Sequence, residues 1–279
     1  MSVLSNKIDF AIVFQVEKAN PNGDPLNGNR PRENYDGRGE VSDVCLKRKI
    51  RNRMQDMGYD IFVQSDDRNT DGYDSLSNRA GGAAELKAAG KDKVAYAKAA
   101  CDKWIDVRAF GQVFAIKGAS KGEGVSVGVR GPVSIQSAFS LEPVDITSLQ
   151  ITKSVNGEPT KDGKKSADTM GMKHRVEFGI YKTFGSINCQ LAEKTGFTDE
   201  DAEVIKKALL TLFENDCSSA RPDGSMEILR VVWWRHNSKI GQYSSAKVHK
   251  SLQVEQMGED VKITIHELPD LKPEIYDGL

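Results

Sequence analysis

No stretch of this 279-residue sequence is apolar for long enough to cross a bilayer as a helix; about 18 such residues would be needed. The first residues also lack a basic start followed by an apolar signal segment. Cysteine is scarce: Cys45, Cys101, Cys189 and Cys217 stand apart with no CxxC pair. That scatter argues for free thiols in a reducing compartment, against a disulfide frame or a zinc knuckle, and cytoplasmic location is the expectation. His174, His236, His249 and His266 have no i, i+4 pairing with Glu, so a catalytic zinc site is not expected. Residues 157–165 miss the P-loop spacing and lack a hydroxyl after Gly-Lys, and the glycines near Gly122 do not fit a dinucleotide fingerprint. Internal repeats and low-complexity tracts are absent as well. No metal or cofactor is expected.

An excess of charge of either sign is also missing, the formal net charge being −1. The distribution says more than the sum. Residues 60–74 hold five acids against one base, and residues 255–277 hold seven acids against Lys262 and Lys272. Removing those tracts leaves a basic remainder. Segregated signs let one face bind a polyanion and another a basic neighbour. With 38% hydrophobic and 28% charged residues, the composition is that of a soluble globular protein with a modest core. The length suits one large domain with insertions, or two small ones.

The chain is organised around its first fifty-odd residues. Ile8, Phe10, Ile12, Phe14 and Val16 alternate with other positions and share one face of a strand. A loop reading NPNGDP follows, and then SDVCLKRKIRNRM, for which Ser42 is the candidate N-cap. Leu46, Ile50, Met54 and Met57 fall on one helical stripe. Lys47, Arg48 and Arg51 lie roughly opposite, with Lys49 and Arg53 on the flank. Five cations in the eight residues 46–53, with no acid among them, repel one another unless something anionic is near. A solvated helix face is the ordinary reading of such a run. The neighbouring loop, whose backbone N–H groups can approach a ligand, favours a polyanion instead.

Further on, 61–63 is a short apolar piece and an Asp-rich loop runs to Gly82. Residues 83–89 and 92–104 read as helices split at Gly90, within an insertion spanning 65–104. The run 105–114 reads as strand-like and leads through Gly118, Gly122 and Gly124 into a strand carrying Val125, Val127 and Val129. Gly131-Pro132 interrupts that pattern as an edge or bulge would, and Val133, Ile135 and Phe139 resume it. A glycine beside Arg130 lets backbone approach a ligand, or serves sheet curvature alone. Residues 154–172 are polar with Asn-Gly and Asp-Gly turn signals, and 153–175 hold six cations against three acids. With so little apolar surface to bury, this segment is expected to project and, in isolation, to be mobile. A strand is expected at 176–181 and 187–191 can continue it; Thr198 caps a helix with an acidic first turn and an apolar face of Ala202, Ile205, Leu209, Leu212 and Phe213. Strands at 227–235 and 261–267 close the pattern. The order is α+β and suits a split βαβ plan, in which two helices cover one sheet face and leave the other free.

NPNGDP followed by VSDVCLKRKIRN resembles the backbone (Cas-seven type) subunit of type I CRISPR surveillance complexes (Cascade), specifically the I-C subtype. IDVRAFGQVF at 105–114, VGVRGPVSIQSAFS at 127–140, DTMGMKH at 168–174 and LAEKTGFTDEDA at 191–202 continue the resemblance in the same order. It covers roughly 8–235 and is weak in 65–101 and in the last forty or so residues. The resemblance implies a single domain over 1–279: a modified RNA-recognition, ferredoxin-like palm with a finger-like insertion at 65–104 and a thumb hairpin at 145–175. It further implies a non-catalytic subunit that binds crRNA, stacks head to tail with further copies, meets other Cascade subunits at the filament ends, and presents the spacer to target DNA, with no membrane contact.

Single strands are held by cations along the backbone and by stacking on flat groups. Lys47, Arg48, Lys49 and Arg51 are candidates for phosphates, and Asn20, Asn22 and Gly23 for amide donors without sequence preference. Arg108 and Phe110 can bound a base or phosphate, although a Phe in such a run is more often core. Arg130, Lys173, His174 and Arg175 add further cationic or hydrogen-bonding groups, and Met170 and Met172 are candidates for a wedge between bases, competing with a core role. The alternative is a metal-dependent endoribonuclease of the same RAMP fold, using Asp24 or Asp36, because related type III subunits cleave RNA from a loop of this region. Against it, an Asp after Asn-Gly ordinarily serves its own turn. An interaction scaffold that never touches nucleic acid is a third possibility.

Overall fold

The computed structural model describes residues 2–116, 125–154 and 170–279. Strand β1 (Ile8–Ala19) is followed by β2 (Gly23–Asp24) and β3 (Arg30–Pro31), which pair as a small hairpin, and by β4 (Arg38–Val41). Helix α1 (Asp43–Asp56) begins where Ser42 accepts from the Cys45 N–H. An inserted lobe comprises α2 (Leu76–Gly82), α3 (Ala84–Ala89), α4 (Lys93–Lys103), α5 (Ile105–Phe110) and the hairpin of β5 (Gly111–Ile116) with β6 (Val125–Arg130). The chain returns as β7 (Val133–Ile135), β8 (Ala138–Pro143), β9 (Ile146–Thr152) and the long β10 (Met170–Ile187). Next come α6 (Cys189–Thr195), α7 (Asp199–Leu210) and β11 (Met226–Arg235). Helix α8 (Ser245–Ser251), the hairpin of β12 (Leu252–Met257) and β13 (Asp260–Ile265), and β14 (Glu274–Asp277) complete the chain.

The main sheet runs β14-β11-β1-β10-β8-β4 and is antiparallel, with β7 and β9 also paired to β10. Strand β1 sits at its centre. Its even residues Ile8, Phe10, Ile12, Phe14 and Val16 pack under Leu46, Ile50 and Met54 of α1 and Ile205 and Leu209 of α7. Alternation of side chains puts all five on one face. Helix α7 is fixed by a capping box, in which Thr198 accepts from the Asp201 N–H while the Asp201 carboxylate accepts from the Thr198 N–H.

The opposite face is not left free. Ala11 packs with Val232, Trp234, Val248, Leu252 and Leu271, so α8 and the C-terminal hairpin cover part of it. Three local expectations also change. Residues 105–110, where the sequence reads as strand-like, form helix α5 ahead of strand β5. The strand ending at Ile187 does not continue, because Asn188 accepts from the Leu191 N–H and caps α6. The strand at 260–265 is not the last one, since β14 adds an edge beside β11. The inserted lobe has its own core, in which Phe62, Leu86, Tyr96, Ala100, Trp104, Phe114 and Val127 pack together. The Asp-rich loop ahead of α2 is ordered by Arg79, whose guanidinium binds Asp71 at 2.7 and 2.8 Å and the Phe62 carbonyl at 3.0 Å.

Candidate nucleic-acid interface

The NPNGDP loop is tied down by its own side chains. Asn20 is buried; its Nδ2 donates to the Asn29 carbonyl at 2.7 Å and its backbone N–H to the Ala220 carbonyl at 2.9 Å. Asn22 Oδ1 accepts from both the N–H and the Oγ of Ser42, each at 2.9 Å, locking the loop onto the start of α1. These two amides therefore position the loop. At Gly23 a Cβ would lie 2.0 Å from Asn29 Oδ1, so a side chain there would push the Asn29 side chain aside. Asp24 Oδ1 accepts from the Leu26 N–H at 3.1 Å and from Arg32 at 3.3 Å, which is the turn role its sequence setting suggested. Asp36 is exposed, in a turn where its N–H donates to Asn34 Oδ1 at 3.0 Å.

Beyond the sheet, β9 and the first residues of β10 make a two-stranded arm, with Met170 opposite Thr152, Met172 opposite Gln150 and His174 opposite Ser148. Directly opposed residues share a face, so Met170, Met172 and His174 line one side of the arm, while Lys173 and Arg175 line the other with Leu149 and Thr147. Met170 and Met172 are 60% and 54% exposed, which removes the core role for this pair. The remaining thumb residues, 155–169, and Gly118, Gly122 and Gly124 lie outside the described residues. Arm and loop meet at one hydroxyl: Ser148 Oγ is 2.8 Å from His174 Nδ1 and 3.2 Å from Arg30 Nη1. Arg175 pairs with Glu177 at 3.0 Å, and the Thr147 hydroxyl together with Arg175 holds the Glu177 carboxyl below the usual carboxylate range.

The four candidate cations of α1 find partners within the protein. Lys47 pairs with Asp43 one turn earlier at 3.0 Å. Lys49 is buried against Asp216, which Arg221 also meets at 3.1 Å; burial pulls the Lys49 pKa down against the pull of Asp216. Arg48 Nη1 donates to the Val63 carbonyl at 2.6 Å. Arg51 Nε donates to Asp106 at 2.9 Å while its guanidinium lies 5.0 Å from the centre of the Phe110 ring. Arg108 grips Asp201 through two nitrogens, at 2.8 and 2.7 Å, and so ties α5 to the start of α7. Arg130 is exposed at the end of β6. At Gly131 a Cβ would lie 2.2 Å from the Ala109 carbonyl, so the close approach there is that of α5. Arg30, Ser148 and Asp106 were missed by sequence reasoning. Arg30 follows the NPNGDP loop by five residues, in β3; none of the three carries a local signal.

The chain matches the family of CRISPR-associated protein Cas7 over residues 6–273. The CRISPR-associated protein Cas7 of Haloferax volcanii is 25% identical over 290 residues, covering 98% of this chain and 81% of that protein. Among solved structures, a chain of a CRISPR RNA-guided surveillance complex, pre-nicking, is similar with a TM-score of 0.49 and 19% identity, covering 82% of this chain and 75% of that one. A chain of another CRISPR RNA-guided surveillance complex gives a TM-score of 0.43 and 16% identity, covering 82% and 68%. No described helix is long and apolar enough to cross a membrane. The match from residue 6 to residue 273 takes in the central sheet except its edge strand β14, together with the inserted lobe and the C-terminal hairpin, and the chain belongs to the family of CRISPR-associated protein Cas7.

Proposed function

We propose that this chain is the non-catalytic guide-RNA-binding backbone subunit of a CRISPR surveillance complex, of the type I-C kind, working in the cytoplasm. Several copies stack head to tail along one crRNA through a heterologous interface that extends as an open helix. Other subunits close its ends. The protein reads backbone and shape, and base pairing between spacer and target DNA reads sequence. The palm is the split βαβ unit of an RNA-recognition fold: β1, α1, β8, β10, α7 and β11 follow that order, with α1 and α7 on one sheet face.

The observation that carries this reading is the meeting of Arg30 and His174 on Ser148, which sets β3, the strand paired to the end of the NPNGDP loop, against the arm that carries the MKH motif. The RNA runs over that junction, past Lys47 on one side and Lys173 and Arg175 on the other, with Met170 and Met172 wedging between bases. Asn20, Asn22 and Gly23 shape the loop that its phosphates approach, and Arg130 adds a cation from the inserted lobe. The turn role of Asp24, whose Oδ1 accepts from the Leu26 N–H and from Arg32, supports a binder over a nuclease. Filter binding of a labelled mixed-sequence single-stranded RNA at several KCl concentrations tests the reading. Sequence-independent binding with a negative log–log salt slope is expected. Absence of binding, together with absence of RNA in the purified protein, overturns it in favour of a scaffold.

A further inference from the structure

Asp106 is a fully buried carboxylate that sequence reasoning passed over. It accepts from three donors: Arg51 Nε at 2.9 Å, the Phe62 N–H at 2.7 Å and the Val63 N–H at 3.1 Å. The Val63 carbonyl in turn accepts from Arg48 at 2.6 Å. One carboxylate thus holds the segment leading into the inserted lobe against α1 and fixes the rotation of Arg51. With Nε committed to Asp106 and the guanidinium carbon over the Phe110 ring, 5.0 Å from its centre, the Nη groups are the part of Arg51 left to meet an anion.

We propose that Asp106 is a positioning residue for RNA binding: it acts through Arg51, with Phe110 as the plate beneath the guanidinium. The proposal rests on the RNA-binding reading above. Its sign separates it from simple electrostatics. Removing a negative charge beside a polyanion-binding surface tightens binding on Coulomb grounds alone. The positioning role requires the opposite. Asp106→Asn removes the charge that holds Arg51: an NH₂ in the Oδ2 place faces both Arg51 Nε and the Val63 N–H, and one in the Oδ1 place faces the Phe62 N–H and leaves Arg51 only a shared neutral oxygen, so the guanidinium is no longer fixed.

The test is RNA affinity against KCl concentration for the full chain, using a labelled mixed-sequence single-stranded RNA. Asp106→Asn is expected to weaken binding and to flatten the log–log slope by about 0.7, the value of one lost phosphate contact on a single strand. Arg51→Ala is expected to do the same, and the double variant no more than either. If Asp106→Asn binds as tightly as the native chain or tighter, or if the two effects add, the proposal is overturned. Trp104, packed 4.7 Å from Phe62, reports by its emission whether the inserted lobe stays folded. Should Asp106→Asn unfold that lobe, Phe110→Leu decides instead: a flattened slope sustains the proposal and an unchanged one overturns it. Failure of the native chain to bind RNA at all would count against the functional reading.

Discussion

His236 Nε2 lies 2.8 Å from Asp9 Oδ2, and neither side chain reaches solvent. The Gln242 N–H donates to His236 Nδ1 at 3.0 Å, so the ring carries its proton on Nε2, toward the carboxylate. Lys7 reaches the same oxygen at 2.9 Å. On the other side His249 Nε2 donates to the Gly185 carbonyl at 3.2 Å, lies 3.6 Å from Asp9 Oδ1 and stacks on Phe184. This polar knot fastens α8 to the back of β1.

The knot makes seating of the C-terminal lobe sensitive to acid. Burial pushes the His249 pKa below its ordinary value, against the pull of Asp9. Burial alone would raise the Asp9 carboxyl, but bonds from His236, Ser245 and Lys7 together hold it below its usual range. A lowered folded pKa means stability that is present above the unfolded value and lost as pH falls. For His249 the loss begins below about pH 6.5, and for Asp9 below about pH 4. Protection of the α8, β12 and β13 amides from hydrogen exchange, taken relative to the intrinsic rate at each pH, is expected to fall between pH 7 and 5 while that of α7 does not. His249→Gln should remove that dependence. Equal protection of the lobe at both pH values would show the knot to be inert.

Lys49 is the cation of α1 most firmly assigned to structure. Breaking a buried pair by removing one partner costs about 3–5 kcal/mol, because the other charge stays buried and unpaired. Asp216→Ala should therefore destabilise the chain by roughly 3 kcal/mol, read as a lower urea midpoint. Lys49→Met should cost less, since Arg221 still pairs with Asp216. Neither variant should change the salt slope of RNA binding. A flattened slope in Lys49→Met would return Lys49 to the phosphate contacts.

The contrast between Lys49 and Ile50 shows where the sequence was legible. Ile50 belongs to a stripe with Leu46 and Met54, and alternation in β1 supplied the surface it packs on. Local periodicity encodes both. The anion for Lys49 comes from a loop 167 residues away, and that for Arg51 from a helix 55 residues away. Those two cations therefore looked unanswered because their acids are distant in sequence. Asp9 carries no local signal either: it lies on the second face of β1, and only the fold brings His236 and His249 onto it. Residues 105–110 form too short a helix for a 3.6-residue period to declare itself.

Met170 and Met172 offer a test in which function and stability separate. Both stand on the outer part of the arm and are more than half exposed. Replacing each by Ala should change stability by no more than about 0.5 kcal/mol, as at other surface sites. If they wedge between bases, chemical probing of bound RNA should lose its periodic reactive positions in the double variant while overall affinity falls only slightly. An unchanged probing pattern would make them contacts to a protein neighbour instead.

Asp24 and Asp36 bear on whether the chain cuts RNA. Asp24→Asn keeps an amide oxygen to accept the Leu26 N–H, and the charge pair lost with Arg32 is part-exposed and worth about 0–1 kcal/mol. The loop should hold its shape, because Asn20 and Asn22 still bind Asn29 and Ser42. The exposed turn at Asp36 should tolerate Asn as well. The double variant is thus expected to bind RNA as the native chain does. In Mg²⁺ or Mn²⁺ both should leave a labelled RNA intact over hours. Should the native chain cleave the RNA and the double variant spare it, one of these carboxylates is catalytic and the backbone subunit is a nuclease.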